Sequence, residues 1–346
     1  MPVRISVVIP TYKASAWIEE TLESVVCQTY PADGLAILVV DDASPDDTVS
    51  VVRRFLGRCS LKSRVVVREV NAGPGATRNA GWKMADGDWI QFLDQDDQLA
   101  PHKIELQAQV ASRAADNVAV IYSNWIWKKV SQENGNWRPS GPVHAPFVDD
   151  DPLLRILQEL DFGHVGPTLI RKSFLTRVGG FDVKPNLGED IDLMLRLAMA
   201  GGQFREVRSE KVAFFYRQTP GSLGQILLRN AHAMRNLLHT FRNVEEFLRD
   251  QSPDRSLPED AGRALAMRYS RFASFYYDND PESFCMLMGW IKGLGVACPI
   301  NLSRKMRVLA SVTGLENALR LRAAYRSYIR QQSLRLRPNR STYSRQ

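Results

Sequence analysis

The chain has 346 residues, 44% of them hydrophobic, and a formal net charge of +7, which suits one large domain with an appendage or two domains with sizeable cores. No uninterrupted apolar run of about 18 residues is present, which argues against a membrane-spanning helix, and no charged-then-apolar leader is visible, so we expect no signal peptide. The four cysteines are scattered, without a Cys-x-x-Cys pair, which indicates reduced thiols rather than a zinc site or disulfides.

The first 125 residues alternate between predicted strands and predicted helices. Apolar runs predict strands at 4–9, 36–40, 65–70, 89–93 and 118–122. Helical spacing follows each of the first four strands, with Ser44 and Pro45 as the predicted start of the second helix and Pro101 as the start of the fourth. This alternation predicts a doubly wound, mainly parallel α/β sheet.

Two of these predicted strands end in acidic residues. Asp41 and Asp42 follow the second strand, and Asp94, Asp96 and Asp97 follow the fourth. A single Asp could serve as a helix cap, but three acids exceed what a cap needs. The carboxyl ends of parallel strands form the ligand-binding edge of such folds, and clustered carboxylates repel one another unless a cation compensates them. The pattern therefore predicts a divalent metal, Mn²⁺ or Mg²⁺, with a phosphate-bearing ligand.

The middle of the chain is less regular. Residues 131–146 are rich in Gly, Pro, Asn and Ser and predict a loop, whereas 190–200 predict a helix and 212–216 a strand. Beyond residue 224 only helical periodicity remains. We therefore predict an α/β domain at 1–222, with a nucleotide-binding half (1–125) and an acceptor half (126–222), and a helical C-terminal region at 223–346.

Six short motifs, in order, resemble those of glycosyltransferase family 2. They read IPTYK (9–13), VDDAS (40–44), GATRN (75–79), FLDQDD (92–97), VGGFD (178–182) and GEDIDL (188–193). The resemblance covers residues 3–220 and implies the GT-A fold. It also implies a nucleotide-sugar donor, usually a UDP-sugar.

The resemblance implies a role for individual positions of this sequence. The backbone around Pro10 and Thr11, together with Tyr12, would border the nucleotide base, and Asp42 would hydrogen-bond to it. Arg78 would lie near the nucleotide, and Asp94 would contact the ribose or the donor sugar. Asp96 would hold the metal on the diphosphate, and Asp190 would be the general base. Glu189 and Arg217 are candidate support or acceptor residues. Many members carry a histidine where Thr219 stands. This chain has none there, so the metal or phosphate role of that histidine is in doubt here.

The resulting prediction is a metal-dependent, inverting glycosyltransferase. A cation neutralises the leaving diphosphate and a carboxylate deprotonates the acceptor hydroxyl, so one displacement suffices. We expect Asp190 to be kept ionised by the dipole of its helix, although Glu189 and Asp190 could also be ordinary first-turn acids. The acceptor would be a glycan or a lipid-linked glycan of a cell-surface polysaccharide.

Two rival functions stay open at the sequence level. A sugar-phosphate nucleotidyltransferase would need a glycine- and arginine-rich loop after the first strand, which the segment 10–13 is not. A catalytically silent carbohydrate- or nucleotide-binding protein is opposed by the intact acids. The Gln-x-x-Arg-Trp signature of processive synthases is absent, which favours the addition of one sugar per encounter.

The positive charge is concentrated at the C-terminal end. Residues 303–346 carry eleven Arg or Lys and one acid, which leaves about −3 for residues 1–302. Residues 318–330 predict a basic amphipathic helix that could lie on an anionic membrane or dock on its own domain. No nucleic-acid-binding module is recognisable, so we expect no nucleic-acid partner. We expect a cytoplasmic protein that could be peripheral on the inner face of the membrane.

Overall fold

The structure is a computed structural model that describes residues 2–130, 137–145, 151–159, 164–183, 188–219, 231–276 and 280–296, with five further positions between 314 and 321. The chain divides into two compact units, one of residues 1–237 and another of residues 238–346. The domain boundary predicted at 222–223 and most of the predicted tail helix lie outside the described residues.

The first unit contains every described strand of the protein. In chain order the strands are β1 (Ile5–Thr11), β2 (Leu35–Asp41), β3 (Lys62–Val67), β4 (Trp89–Phe92), β5 (Gln98–Leu99), β6 (Val118–Tyr122), β7 (Trp125–Val130), β8 (Trp137–His144), β9 (Thr168–Arg171), β10 (Gln203–Glu206) and β11 (Phe214–Arg217). Its helices are α1 (Ile18–Val26), α2 (Thr48–Leu56), α3 (Pro74–Met84), α4 (Lys103–Ala111), α5 (Pro152–Gln158), α6 (Lys172–Val178) and α7 (Glu189–Met199).

The central sheet has seven strands in the order β10-β6-β9-β4-β1-β2-β3. All neighbouring pairs are parallel except those of β9, which runs antiparallel to both β4 and β6. The interior strands are buried and rich in Val, Ile and Leu, as expected for a sheet covered on both faces. The predicted doubly wound, mainly parallel α/β architecture is confirmed.

A second, four-stranded sheet has the order β5-β11-β7-β8. It corrects the prediction of a loop at 131–146, because β8 (Trp137–His144) pairs antiparallel with β7 despite its glycine and prolines. Pairing with a neighbouring strand has overridden weak local strand propensity here. The third strand also lies earlier than predicted, at Lys62–Val67, and the second helix begins at Thr48 rather than just after Ser44.

Helix α3 packs against β1 and β2 at very short range. A Cβ atom at Gly81 would lie 2.3 Å from a methyl carbon of Val8, so glycine is needed for the helix to approach the sheet this closely. Arg78 lies one turn earlier on the same helix and is almost fully buried. The close packing of α3 therefore fixes the position from which Arg78 reaches the end of β4.

The second unit is helical in its described part. Its long helices are Ala231–Asp250, which begins in the first unit, Glu259–Tyr276 and Pro281–Gly293. Buried aromatic residues such as Phe241, Tyr269 and Phe272 pack in its interior. Within the described part of the chain, no helix combines the length and apolarity needed to cross a membrane.

Candidate active site

The carboxyl ends of β1, β2 and β4 lie side by side in the central sheet. Thr11 at the end of β1 is in register with Asp41 at the end of β2, and its hydroxyl donates to that carboxylate at 3.0 Å. Pro10 and Thr11 are buried, whereas the Tyr12 side chain is 39% exposed at the edge. These three residues, predicted to border the base, thus stand at the edge where open α/β sheets bind ligands.

Asp42 continues β2 into this edge and is held by the chain that enters α3. Its carboxylate accepts hydrogen bonds from the backbone N–H groups of Ala72 and Gly73, at 3.1 and 2.8 Å, and lies 3.3 Å from the Arg68 guanidinium. The side chain is only 4% exposed. In the structure the Asp42 carboxylate binds these protein donors. Its hydrogen bond to a nucleotide base stays a prediction.

Acids from two distant segments converge on Arg78. The guanidinium donates to Asp94, after β4, at 2.6 Å and to Glu189, at the start of α7, and it lies 3.7 Å from Asp190. Burial disfavours the charge of Arg78, but the three carboxylates outweigh that effect and raise its pKa well above the usual value. Arg78, Asp94, Glu189 and Asp190, which the sequence placed in separate motifs, therefore form one cluster.

Asp190 combines a raised pKa with one carboxylate oxygen that accepts no hydrogen bond from a described residue. Its Oδ2 accepts the Val165 N–H at 3.3 Å, and no described residue donates a hydrogen bond to its buried Oδ1. Burial, followed by repulsion from Glu189 and Asp94, raises the pKa of Asp190 to about 7, although Arg78 opposes the shift. Desolvation acts against the dipole of α7, so at neutral pH Asp190 is ionised only in part, whereas the sequence suggested that the dipole would keep it ionised.

Asp96 and Asp97 differ in what holds them. The Asp96 carboxylate accepts the Thr219 hydroxyl at 3.1 Å, and burial together with the charge of Asp94 raises its pKa to about 6. Asp97 is buried, accepts the backbone N–H of Arg217 at 2.8 Å and has a pKa raised well above its usual value by burial. Asp97 therefore joins strands within the fold, whereas Asp96 keeps capacity for another ligand.

The described residues contain no preformed cage of three or more metal-ligating side chains. Mg²⁺ and similar ions are commonly held by one or two carboxylates together with substrate phosphates, and such sites need no cage. Asp96 fits that arrangement because its side chain is partly buried, the charge of Asp94 acts on it, and it forms no ion pair with any described residue. A divalent ion would supply the missing positive charge.

Arg217 lies at the side of the site and is committed to other partners. Its fully buried guanidinium is 2.6 Å from Glu20 of α1 and lies against the rings of both Trp17 and Trp137, at 5.1 and 5.0 Å from their centres. Its charge lowers the pKa of Asp96 somewhat against the effect of burial. The structure thus places Arg217 as a support of the second sheet rather than among the converging acids.

Two residues at this site were missed from the sequence. The Gln95 amide donates to and accepts from the backbone of Tyr12, at 3.1 and 2.7 Å, and so joins the ends of β4 and β1. Tyr216 is largely buried, and burial followed by the charges of four aspartates raises its pKa. Those four are Asp97, Asp94, Asp190 and Asp96. The charges of the donor-side acids and of the predicted base thus all act on the Tyr216 phenol. The only sequence signal for either residue was the position of Gln95 between two acids.

Comparison with known proteins places these features in a family. The sequence profile described as Glycosyl transferase family 2 matches residues 6–178. The poly(ribitol-phosphate) beta-N-acetylglucosaminyltransferase TarS of Staphylococcus aureus is 29% identical over 175 residues, which are 50% of this chain and 28% of TarS. The succinoglycan biosynthesis protein ExoO of Rhizobium meliloti is 27% identical over 301 residues, 85% of this chain and 79% of ExoO. The chain spans roughly a third or less of the length of the first curated relatives it matches.

Solved structures show the same fold at low sequence identity. TarS residues 1–349 in complex with UDP-GlcNAc superpose with a TM-score of 0.64 and 20% identity, over 95% of this chain and 92% of that one. The mannosyltransferase PcManGT of Pyrobaculum calidifontis, in complex with GDP-Man and Mn²⁺, gives a TM-score of 0.53 and 19% identity, over 95% and 89%. These likenesses concern the fold.

Proposed function

The chain belongs to glycosyltransferase family 2 and has the GT-A type fold, and on that premise we propose that it transfers a sugar from a nucleotide donor to a hydroxyl group of a glycan or lipid-linked acceptor. The observation that carries the proposal is the convergence of acids on Arg78. Asp94 from the end of β4 and Glu189 and Asp190 from the start of α7 meet at one guanidinium. A sheet edge for a nucleotide and a separate proton acceptor are thereby brought together.

A UDP-sugar is the donor that we propose. TarS, a relative with the same fold, has been crystallised with UDP and with UDP-GlcNAc, which supports UDP-GlcNAc as the first donor to test. In this chain Pro10, Thr11, Tyr12 and Asp42 stand at the ends of β1 and β2, and Asp94 follows β4. These strand ends would border the nucleotide, with Asp94 nearest the sugar.

Asp96 would hold a divalent metal ion together with the donor diphosphate. When bound, the ion would neutralise the charge that develops on the leaving diphosphate. The chain contributes the Asp96 carboxylate, which pairs with no described cationic side chain. Burial and the charge of Asp94 raise its pKa to about 6. Thr219, which stands where many relatives carry histidine, donates to Asp96 and would hold its rotamer.

Asp190 would deprotonate the acceptor hydroxyl. A general base works best when its pKa lies near the working pH, and the pKa of Asp190 is about 7. Its Oδ1 is not bonded to any described donor, whereas Oδ2 is fixed by the Val165 N–H. One base acting opposite the leaving group gives a single displacement with inversion at the sugar.

The wider role that we propose is the synthesis of a cell-surface polysaccharide, supported by the names of TarS and ExoO. A cytoplasmic enzyme would work on acceptors at the inner face of the membrane. The basic segment 303–346, with its excess of Arg and Lys, would then contact anionic lipid.

The test is UDP release with UDP-GlcNAc and other UDP-sugars, in Mn²⁺ or Mg²⁺, with the wild-type chain and two matched variants. Asp190→Asn should abolish release while UDP still binds, as measured by calorimetry. Asp192→Asn is the control, because Asp192 lies on the same helix and pairs with Arg196 at 2.6 Å rather than with Arg78. It should retain activity.

The rival functions predict different outcomes in the same experiment. A silent binding protein would bind UDP without releasing it from any donor, in wild type and variants alike. A nucleotidyltransferase would form pyrophosphate from UTP and a sugar phosphate. Equal activity of Asp190→Asn and the wild type would contradict the assignment of the base.

A further inference from the structure

A lysine without a carboxylate partner is buried beneath the site. Lys103 opens α4, has no exposed surface, and no described acid forms an ion pair with it. Its Nζ donates to the side-chain oxygens of Gln91 and Gln107, the latter at 2.6 Å. Burial lowers the pKa of Lys103 well below its usual value, and the positive end of the α4 dipole acts in the same direction.

The two glutamines also form hydrogen bonds to one backbone segment. Gln91 donates through Nε2 to the carbonyl of Gly166 at 2.7 Å, and Gln107 donates to that of Pro167 at 3.0 Å. A side-chain amide has one accepting end and one donating end. Because Lys103 occupies both accepting ends, it fixes the orientation in which both donating ends face the segment 165–168.

This segment carries the hydrogen-bond donor to Asp190. The Val165 N–H donates to Asp190 Oδ2 at 3.3 Å, and the Val165 carbonyl accepts the N–H and the hydroxyl of Thr168 at 3.1 and 2.7 Å. On its other side the segment packs against Phe214, since a Cβ at Gly166 would lie 2.3 Å from that ring. The segment is therefore held by Phe214 on one side and by the two amides on the other. The N–H and the hydroxyl of Ser123 also donate to the Pro167 carbonyl, at 3.1 and 3.0 Å.

We propose that Lys103 is a positioning residue for the general base: it orients Gln91 and Gln107, which hold the segment 165–168 so that the Val165 N–H binds Asp190. This inference rests on the proposed function of Asp190 as the base. Lys103 itself touches neither donor nor acceptor, so its effect is on the proton affinity of Asp190 and not on donor binding.

The other charges that face Asp190 lie on separate elements. They are Arg78 of α3, Glu189 of α7 itself and Asp94 after β4. The Tyr216 phenol of β11 is near as well. A substitution at position 103 alters none of these groups. A changed pKa of Asp190 in such a variant would therefore report on the Val165 N–H.

The test uses Lys103→Met, which keeps the length of the side chain and removes its donors. Deuterium exchange of a peptide covering 164–169 should become faster, and the carboxyl ¹³C titration of Asp190, assigned with Asp190→Asn, should move up by about half to one pH unit. The acid limb of UDP release from UDP-GlcNAc should move by the same amount, with the KM for the donor unchanged. A second variant, Gln91→Met, removes the amide that donates to Gly166 without adding a charge, and it should give the same shifts if Lys103→Met does not fold.

Lys172→Met is the matched control. Lys172 donates to the Ala85 carbonyl at 2.5 Å, away from the segment 164–168, so exchange and titration should stay as in the wild type. A folded Lys103→Met or Gln91→Met protein with wild-type exchange, or with faster exchange but an unshifted Asp190 titration, would overturn the proposal. Exchange and titration need no turnover, so a wild-type chain inactive with every donor would refute the proposed function and leave this test decisive.

Discussion

Replacing Arg78 by methionine should disable the base without touching it. The guanidinium lies 3.7 Å from Asp190 Oδ1, and at an effective dielectric constant of about 20 the attraction between two unit charges at this distance is about 4 kcal/mol. That energy corresponds to about three pKa units. Asp190 is 20% exposed, so solvent reduces the effect, and we expect its pKa of about 7 to rise by one to three units. UDP release at pH 7 should then fall by about fivefold for a shift of one unit and by several hundredfold for three units, and it should recover at higher pH.

The pH profile of UDP release and the carboxyl ¹³C titration of Asp190 measure this shift directly. Arg196→Met is the control, because Arg196 pairs with Asp192 on the same helix and does not contact Asp190. Arg78→Lys keeps a positive charge and should give a smaller shift, which provides a second variant if Arg78→Met does not fold. A folded Arg78→Met protein with the acid limb of the wild type would refute the electrostatic reasoning.

Three further predictions follow from the same geometry. Asp190→Asn should be more stable than the wild type at pH 8, by up to about 4 kcal/mol, because a folded pKa of about 7 means that the wild type loses stability as the pH rises from about 4 through 7. The difference in unfolding free energy, measured in urea, should grow over this pH range and level off above it. A difference that does not depend on pH would contradict the raised pKa. Mn²⁺ binding to the UDP-loaded protein should weaken about tenfold per pH unit below 6, where Asp96 is protonated, and calorimetry showing equal affinity at pH 5 and pH 7.5 would exclude Asp96 as the ligand. Ala43→Gly should stabilise the fold by about 1 kcal/mol in thermal unfolding, because Ala43 has a φ of 59°, and a lower melting temperature would show that this backbone is not strained.

The sequence predicted the acidic strand ends well because parallel strands carry their own signature. Buried apolar runs that end in Asp41 and Asp94 define both a strand and the edge at which it ends. The position of β9 could not be predicted in the same way. Thr168–Arg171 is a short apolar strand whose antiparallel insertion between β4 and β6 depends on contacts far apart in the chain. Local pattern does not encode strand direction.

The site was predicted only in part, and for a related reason. Motifs identify residues that a ligand would touch, such as Asp96 and Asp190. They do not identify the partners that hold these residues, because the partners lie on other elements. Lys103 looks like an ordinary first-turn residue of a helix, yet it is fully buried beneath the segment that contacts Asp190. Burial of a long charged side chain is a property of the fold, so only the structure reveals it.

The two acids with the clearest proposed roles share a neighbour and differ in their compensation. Asp94 raises the pKa of both Asp96 and Asp190, so both sit in the same field of negative charge. Asp190 has a guanidinium 3.7 Å away, which limits its pKa to about 7 and makes it able to take up and release a proton near neutral pH. Asp96 forms no ion pair with any residue that the structure describes, and the metal ion that we propose would compensate its charge. Under the proposed function, the different environments of Asp190 and Asp96 would suit one carboxylate to a proton and the other to a metal ion, as expected when a fold uses neighbouring acids for different tasks.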